Sequence, residues 1–307
     1  MSEGGFALFG QQLLNGLTIG MVYALIALGY TMVYGVLQLI NFAHGDVFML
    51  GAMMGWYASS RWTQEAAHPT WFGAIAVTLV SMAICGTTGF LIERFGYRPL
   101  RSSPKLNSLI TAIGFSFLLE YGGQFVFGPN PRAFAALPVS PSDQFRVLGV
   151  SISYIELICV GVSVGLMVLL NRIIFHSRIG TAMRAVSWNP PVAALMGVNI
   201  DKVISFTFVL GSVLAAVAGI LFASAYRKVE PLMGLMPGLK AFVSAVLGGI
   251  GNVQGAMLGG LILGLAEQLV SSYVSSQWKD AIAFAILILI LLVRPSGLLG
   301  KGIAEKV

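Results

Sequence analysis

Three polar residues, Asn41, His44 and Asp46, lie close together at the end of a long stretch without Asp, Glu, Lys or Arg, residues 4–45. An imidazole and a carboxyl group two positions apart could act as an acid–base pair inside a membrane. Alternatively, both side chains satisfy backbone groups and hold a turn. We favour the second interpretation, because ionisable groups at such depth must first find partners.

Glu120 and Glu267 are single acids within otherwise apolar runs. A buried charge is costly in such surroundings, so each acid is a candidate functional residue. The alternatives are a position near the membrane interface for Glu120 and a helix–helix hydrogen bond from a protonated Glu267. Neither acid has an obvious basic partner in the sequence.

Motifs for other chemistry are missing from the sequence. It contains no G-x-x-x-x-G-K-[ST] phosphate loop, no G-x-S-x-G and no H-E-x-x-H. The three histidines fall in different segments, and Cys85 and Cys159 lie in apolar runs where small packing residues are expected. We therefore expect no enzyme, no cofactor and no metal site.

The composition indicates a polytopic α-helical membrane protein. The chain of 307 residues is 57% hydrophobic and 10% charged, against about 25% charged in soluble domains. Its apolar runs are continuous rather than alternating, and we count about nine. Residues 4–45 would form a helix of about 60 Å, twice the hydrocarbon thickness, so this run must break near residues 41–46.

The charge distribution predicts an orientation. The net charge of +6 belongs to the connecting loops, which makes nucleic-acid binding a weak interpretation. Placing the basic segment 93–105, which we expect to be a loop, and segment 171–202 inside also puts the C-terminal cations inside. The N-terminus is then outside if all nine segments cross the membrane, and inside if one of them is re-entrant.

A helix is also expected within the polar segment 171–203. Asn189 can cap its N-terminus, Pro190 suits its first position, and Gly197 suits the left-handed position after its end. The sequence between Pro190 and Gly197 is mostly apolar. An apolar helix presented to water by a membrane protein predicts a docking partner.

Several stretches resemble the branched-chain amino-acid ABC transporter permeases, specifically the first permease subunit of the high-affinity leucine/isoleucine/valine system. They are GLTIGMVYALIALGYTMVYGVLQLINFAHGDVFMLGA, YRPLRSSPKLNSLITAIGFSFLLE, RIGTAMRAVSWNPPVAALMGVNIDKV, AFVSAVLGGIGNVQGAMLGGLILGLAEQ and KDAIAFAILILILLVRPSGLLG. The resemblance covers nearly the whole chain in order. It implies a single permease domain, residues 1–307, in a bacterial inner membrane, with segment 171–203 as a cytoplasmic coupling loop.

The resemblance also implies partners: a homologous second permease, two ABC ATPase subunits and an extracytoplasmic solute-binding protein that delivers the amino acid. The residues expected to couple to the ATPases are Arg184, Asn189, Pro190, Ala194, Leu195 and Gly197. The residues expected along the translocation path are Asn41, His44, Asp46, Glu120, Gly251, Asn252 and Glu267. Within that path, we expect turn 41–46 to pack against the glycine-rich segment 248–255.

The expected function is therefore that of a permease subunit in an ATP-driven importer for branched-chain or other neutral amino acids. Related urea-type permeases make urea, amides or another small polar solute the alternative substrate. A stand-alone channel or secondary transporter is the rival class, and it would leave the exposed helix without a role. A membrane-embedded enzyme ranks third, because the sequence has no recognisable nucleophile arrangement.

Overall fold

The computed structural model describes residues 3–62, 70–135, 137–139, 143–147 and 149–300. These residues form a helical bundle with two short antiparallel strand pairs. The helices are α1 (Glu3–Leu37), α2 (His44–Trp62), α3 (Trp71–Leu91), α4 (Lys105–Phe127), α5 (Tyr154–His176), α6 (Arg178–Trp188), α7 (Pro190–Leu195), α8 (Ile200–Tyr226), α9 (Leu235–Gly248), α10 (Val253–Tyr273) and α11 (Lys279–Val293). The strands are β1 (Arg132–Ala133), β2 (Gln144–Val147), β3 (Val150–Ser153) and β4 (Lys228–Val229).

Helices α1 and α8 form the centre of the bundle. The middle of each helix is buried on nearly all sides, as shown by Leu25, Ala27 and Ala216, which have no exposed surface. Helix α1 also packs backbone to backbone on α10, because a Cβ added to Gly20 would lie 3.0 Å from the carbonyl oxygen of Gly260. Small residues of this kind let membrane helices approach closely.

The expected break after the first apolar run is confirmed. Helix α1 ends at Leu37, Gln38 has a positive φ of 55°, and α2 begins only at His44. The His44 ring lies against Gly29, eight residues before the end of α1. Eight helical residues span about 12 Å, so α2 begins well inside the bundle rather than at its surface.

A second break mirrors the first on the opposite side of the bundle. Helix α8 ends at Tyr226, Arg227 takes the left-handed conformation, and the chain then returns into the bundle before α9 begins at Leu235. Helix α9 has only fourteen residues and leads to a tight turn in which Gly249 and Gly251 have positive φ. Both α2 and α9 are therefore half-length helices that start inside the protein.

The two faces of the bundle differ in structure. On one face, β1 pairs with β4, and β2 pairs with β3 as a hairpin. The start of α1 lies on this face, because a Cβ on Gly149 would lie 2.9 Å from the Cβ of Ala7. The opposite face carries α6, α7 and Arg294, so the positive-inside rule makes it the inner face.

Seven helices among the described residues are long and apolar enough to cross a membrane. Helices α2 and α9, each with the extended chain before it, complete two further passages between the faces. The described residues thus make nine passages, with the start of α1 on the outer face. This is the arrangement expected if all nine apolar segments cross.

The prediction that residues 93–105 form a loop is wrong for most of that segment. Helix α3 continues as a π-helical turn, Ile92–Tyr97, and a 3₁₀ turn, Arg98–Leu100. Glu93 is fully buried, accepts a hydrogen bond from Ser205 at 2.6 Å and pairs with Arg101. Arg98 and Arg101, which both pair with Asp201, mark an interface between the end of α3 and α8 rather than a solvated loop.

Candidate translocation site and coupling segment

The N-terminal ends of the half-helices α2 and α9 meet inside the bundle through three glycines. A Cβ added to Gly45 would lie 2.8 Å from the carbonyl oxygen of Gly234, and one added to Gly238 would lie 2.8 Å from the Cα of Gly45. Any larger residue would separate the two backbones. Irregular backbone at this depth is tolerated only where protein buries it or where it lines a water-filled path.

Two carboxyl groups lie beside this junction. Asp46, in the first turn of α2, is 2% exposed, and Glu120 on α4 is 5% exposed. The Asp46 carboxylate accepts a hydrogen bond from Ser116, and the carboxyl group of Glu120 lies close to it. Two of the residues considered from the sequence, Asp46 and Glu120, are thus brought together within the bundle.

His44 and Asn41 hold the turn before α2. The His44 ring packs edge-on against Tyr30, with ring centroids 4.8 Å apart, and its Nε2 atom has no hydrogen-bond partner. The side-chain oxygen of Asn41 is 3.3 Å from the hydroxyl of Tyr97, which also donates to the carbonyl of Ile40 at 3.2 Å. The His44 imidazole and the Asp46 carboxyl form no ion pair with each other. This favours the interpretation that the two side chains hold the turn over the interpretation that they act as an acid–base pair.

A cavity of about 110 Å³ opens at the junction. By the share of volume that a water molecule occupies in the liquid, about 30 Å³, it has room for three to four waters. Polar groups of Tyr30, Asp46 and Ser116 line one part of the cavity. The remaining wall is apolar or glycine: Phe42, Gly45, Ile113, Gly234, Leu235, Gly238 and Leu239.

The expected contact between turn 41–46 and segment 248–255 is wrong. The turn packs against Gly234 and Gly238, at the start of α9, whereas the nearest neighbour of Gly251 is Gly35 near the inner end of α1. Segment 248–255 lies at the other end of α9, about 20 Å away along a fourteen-residue helix. The partner of the turn is the other helix start, because both breaks return the chain to the same depth.

Asn252 takes a capping role at the inner end of the bundle. Its side-chain oxygen accepts from Gly255 N at 3.1 Å, as an N-cap of α10, and its amide donates to the carbonyl of Leu299 at 2.7 Å. Gly251 supplies the positive φ, 91°, that the preceding turn requires. Both residues lie away from the cavity.

Glu267 has a basic partner, contrary to the expectation from the sequence. Lys240 on α9 donates to Glu267 at 2.7 Å and also pairs with Asp280 on α11 at 2.6 Å. The Tyr23 hydroxyl on α1 donates to the second Glu267 oxygen at 2.9 Å. This ionic cluster ties four helices together. Lys240 could have been noticed as the only charged residue between Glu230 and Glu267.

Helix α7 has the capping predicted for the helix within segment 171–203. Asn189 accepts a hydrogen bond from Val192 N at 3.1 Å, Pro190 occupies the first position of α7, and Gly197 has φ 82° just after its end. Ala194 is exposed. Four apolar side chains around it are also exposed: Trp188, Val192, Leu195 and Met196.

Two charged residues of segment 171–203, Arg184 and Asp201, contact neighbouring parts of the bundle. Arg184 donates to the carbonyl of Ile174 and stacks over Phe175, with 5.7 Å between its guanidinium carbon and the ring centroid. Asp201, at the start of α8, pairs with Arg98 and Arg101 from the end of α3. Arg184 thus fastens α6 to α5, and its own contacts are internal to the subunit.

Comparison with known proteins agrees with this architecture. Residues 12–291 match the family model described as branched-chain amino acid transport system / permease component. Over its whole length, the chain is 43% identical to the complete high-affinity branched-chain amino acid transport system permease protein LivH of Salmonella typhimurium. It is 41% identical to the permease protein BraD of Pseudomonas aeruginosa, with 97% of each chain covered. It is 27% identical to a probable LivH of Methanocaldococcus jannaschii, over 90% of this chain and 88% of the relative.

The matched region spans all the half-helices, the cavity and the coupling segment. A family match of this extent, with full-length identity above 40%, leaves no part of the bundle outside the comparison. The seven long apolar helices place the chain in a membrane, where it passes several times. The chain therefore belongs to the permease-component family of branched-chain amino acid transport systems, and it is a multi-pass inner-membrane transport subunit.

Proposed function

We propose that this chain, as one permease domain, is a transmembrane subunit of an ATP-driven importer for branched-chain or other neutral amino acids. The observation that carries the proposal is α7, a capped helix on the inner face with Leu195 87% exposed and Met196 80% exposed. Large exposed apolar side chains next to one another are typical of a protein interface. A channel or secondary transporter would have no use for such a helix.

The partners in this proposal are two ABC ATPases, a second homologous permease and an extracytoplasmic solute-binding protein. The ATPases dock on segment 171–203 through α7, with Ala194 and Leu195 at the contact. The binding protein selects the substrate and meets the outer face, which carries the hairpin β2–β3. The two permeases enclose the path between them.

Motion of α7 has two direct routes into the bundle. The chain enters α8 immediately after α7, through the N-cap Asn199. On the other side of α7, Ser187 of α6 donates to the carbonyl of Gly35, in the last turn of α1 before its break. Helices α1 and α8 both pack on α2, so ATPase closure shifts the half-helix junction between outward- and inward-open states.

The translocation path in this proposal passes the junction of α2 and α9. Asn41 and His44 shape the turn, and Asp46 and Glu120 supply the polar groups. The cavity at the junction and the close glycine contacts support this placement, because the helices can part there without unpacking large side chains. Gly251, Asn252 and Glu267 support the surrounding helices instead.

The test is reconstitution. The permease, purified with an ATPase from its own transport system and with the second permease, is placed in liposomes that contain ATP. Uptake of labelled leucine should require both ATP and the binding protein. Uptake that persists without ATPase subunits would instead establish a channel or a secondary transporter.

A further inference from the structure

Asp46 and Glu120 form a buried pair of acids without a protein counterion. Among the described residues, no lysine or arginine lies within ion-pair distance of either carboxyl group. Their neighbours carry hydroxyl groups: Ser116 donates to Asp46, and Tyr30 lines the same cavity. The Oε1 atom of Glu120 is buried and has no hydrogen-bond partner.

The lysine that follows the junction along α9 is already paired with other acids. Lys240 lies two residues after Gly238, which touches Gly45. Two residues turn an α-helix by about 200°, so Lys240 leaves the opposite side of α9. There its ammonium group is shared by Glu267 and Asp280. The Asp46–Glu120 pair and the Lys240 cluster are therefore separate electrostatic sites on the two sides of one half-helix.

A buried acid without a counterion either stays protonated and neutral or binds a cation. The cavity beside Asp46 makes the second outcome accessible. Its lining combines carboxyl and hydroxyl groups with the apolar side chains of Ile113, Leu235 and Leu239. This distribution matches a molecule with an ammonium group at one end and an aliphatic side chain at the other.

The N-terminus of α9 adds a complementary charge. This helix has fourteen residues, and its positive dipole end lines the same cavity at Leu235. Helix starts favour carboxylates. An amino-acid zwitterion would thus find an acceptor for its ammonium group on α2 and α4, and a favourable end for its carboxylate on α9.

We propose that Asp46, held by Ser116 and Glu120, binds the α-ammonium group of the amino acid during its passage between α2 and α9. This inference rests on the proposed function as an amino-acid importer and adds a specificity determinant to it. Uncharged solutes such as urea would leave the two buried acids uncompensated. The permease itself, and not only its binding protein, then discriminates for an ammonium group.

The experiment uses the complete transporter in lipid nanodiscs during ATP turnover. Cys85 and Cys159 are replaced by alanine, and Ile113→Cys places a thiol in the cavity wall. The rate of N-ethylmaleimide labelling is measured with leucine, with leucinol, which keeps the ammonium group, and with 4-methylpentanoate, which lacks it. At twice its dissociation constant, a bound probe should slow labelling about threefold, because the free fraction is 1/(1 + [L]/Kd).

Leucine and leucinol should protect the thiol, and 4-methylpentanoate should not. Asp46→Asn should abolish protection by leucine, while Glu156→Gln, a matched removal of an acid at the start of α5, should retain it. Equal protection by 4-methylpentanoate, full protection in Asp46→Asn, or no protection by leucine would overturn the inference.

If the new thiol does not react, a transport measurement tests the proposed ammonium site instead. Asp46→Asn should lower leucine uptake per ATP hydrolysed, and Asp46→Glu should restore part of it. A purely structural role would lower uptake and ATPase activity together. Failure of the parent transporter to import leucine with ATP would reject the proposed function, whereas normal import with an unchanged ratio in Asp46→Asn would reject only the ammonium site.

Discussion

Lys240 is the cation of a buried ionic cluster between helices. Its side chain is 4% exposed and satisfies two acids from two other helices, Glu267 and Asp280. Removing one partner of a buried ion pair costs far more than removing a surface pair, because the remaining charges stay buried and uncompensated. This residue thus fixes the position of α9 against α10 and α11.

Lys240→Met should lower the free energy of unfolding by about 3–5 kcal/mol, the usual cost of leaving buried charges unpaired. The matched control is Lys228→Met, which breaks an exposed pair with Glu230 and should cost no more than about 1 kcal/mol. Denaturant unfolding in detergent measures both. Equal losses in the two variants would contradict a structural role for the buried cluster.

A second prediction at the scale of single residues concerns Gly45. Gly45→Ala should destabilise the protein by about 1–3 kcal/mol, because its Cβ would overlap the backbone at Gly234 and overpacking has this typical cost. Transport should fall as well, since α2 and α9 would be held apart.

The control for Gly45→Ala is Gly122→Ala on α4. A Cβ at Gly122 meets nothing within 4 Å, so this variant should be neutral or slightly more stable. Thermal unfolding compares the two variants. If Gly45→Ala were as stable as the parent protein, the two helix starts would not need their close approach.

At the scale of elements, helix α7, which we propose as the docking site of the ATPase, is short but well defined. Six residues are too few to form a stable helix alone in water, so its Asn189 cap, its prolines and its packing through the buried Ala193 maintain it. Its exposed apolar residues are consequently free to serve a partner.

Replacing Ala194 and Leu195 by aspartate should uncouple ATPase activity from leucine uptake, because two charges would be buried at the docking contact without partners. The folded permease should still reach the membrane at the parental level. Val274→Asp, which places a charge at an exposed apolar residue just after α10, at the outer end of the bundle, is the control. Normal ATP-driven uptake in the double variant would argue against docking through α7.

At the scale of the whole molecule, nine passages and the charge distribution fix one orientation. Cysteines at Ser102 and Thr181 should resist a membrane-impermeant thiol reagent added outside, whereas a cysteine at Val147 in β2 should react. Position Ser140, which also belongs to the expected outer connection, lies outside the described residues. Labelling of intact cells gives the answer, and the reverse pattern would invert the topology.

Much of this architecture follows from the sequence alone. The break before His44 is required because an uncharged run of that length cannot cross the membrane as one straight helix. The cap at Asn189, the proline after it and Gly197 are local signals, since each acts on backbone groups within a few residues. For the same reason, the capped helix within segment 171–203 could be predicted without coordinates, and the class of protein could be recognised from the sequence.

The tertiary structure decided what depends on distant partners. Glu267 has no basic neighbour in sequence, but Lys240 reaches it because α9 and α10 fold back as a hairpin. The sequence predicts a solvated loop around Glu93, but in the structure Ser205 on α8 donates a hydrogen bond to it. Turn 41–46 meets the start of α9 and not its glycine-rich end, because both breaks return the chain to one depth. Charge pairing and helix contact depend on three-dimensional proximity, which local sequence patterns do not encode.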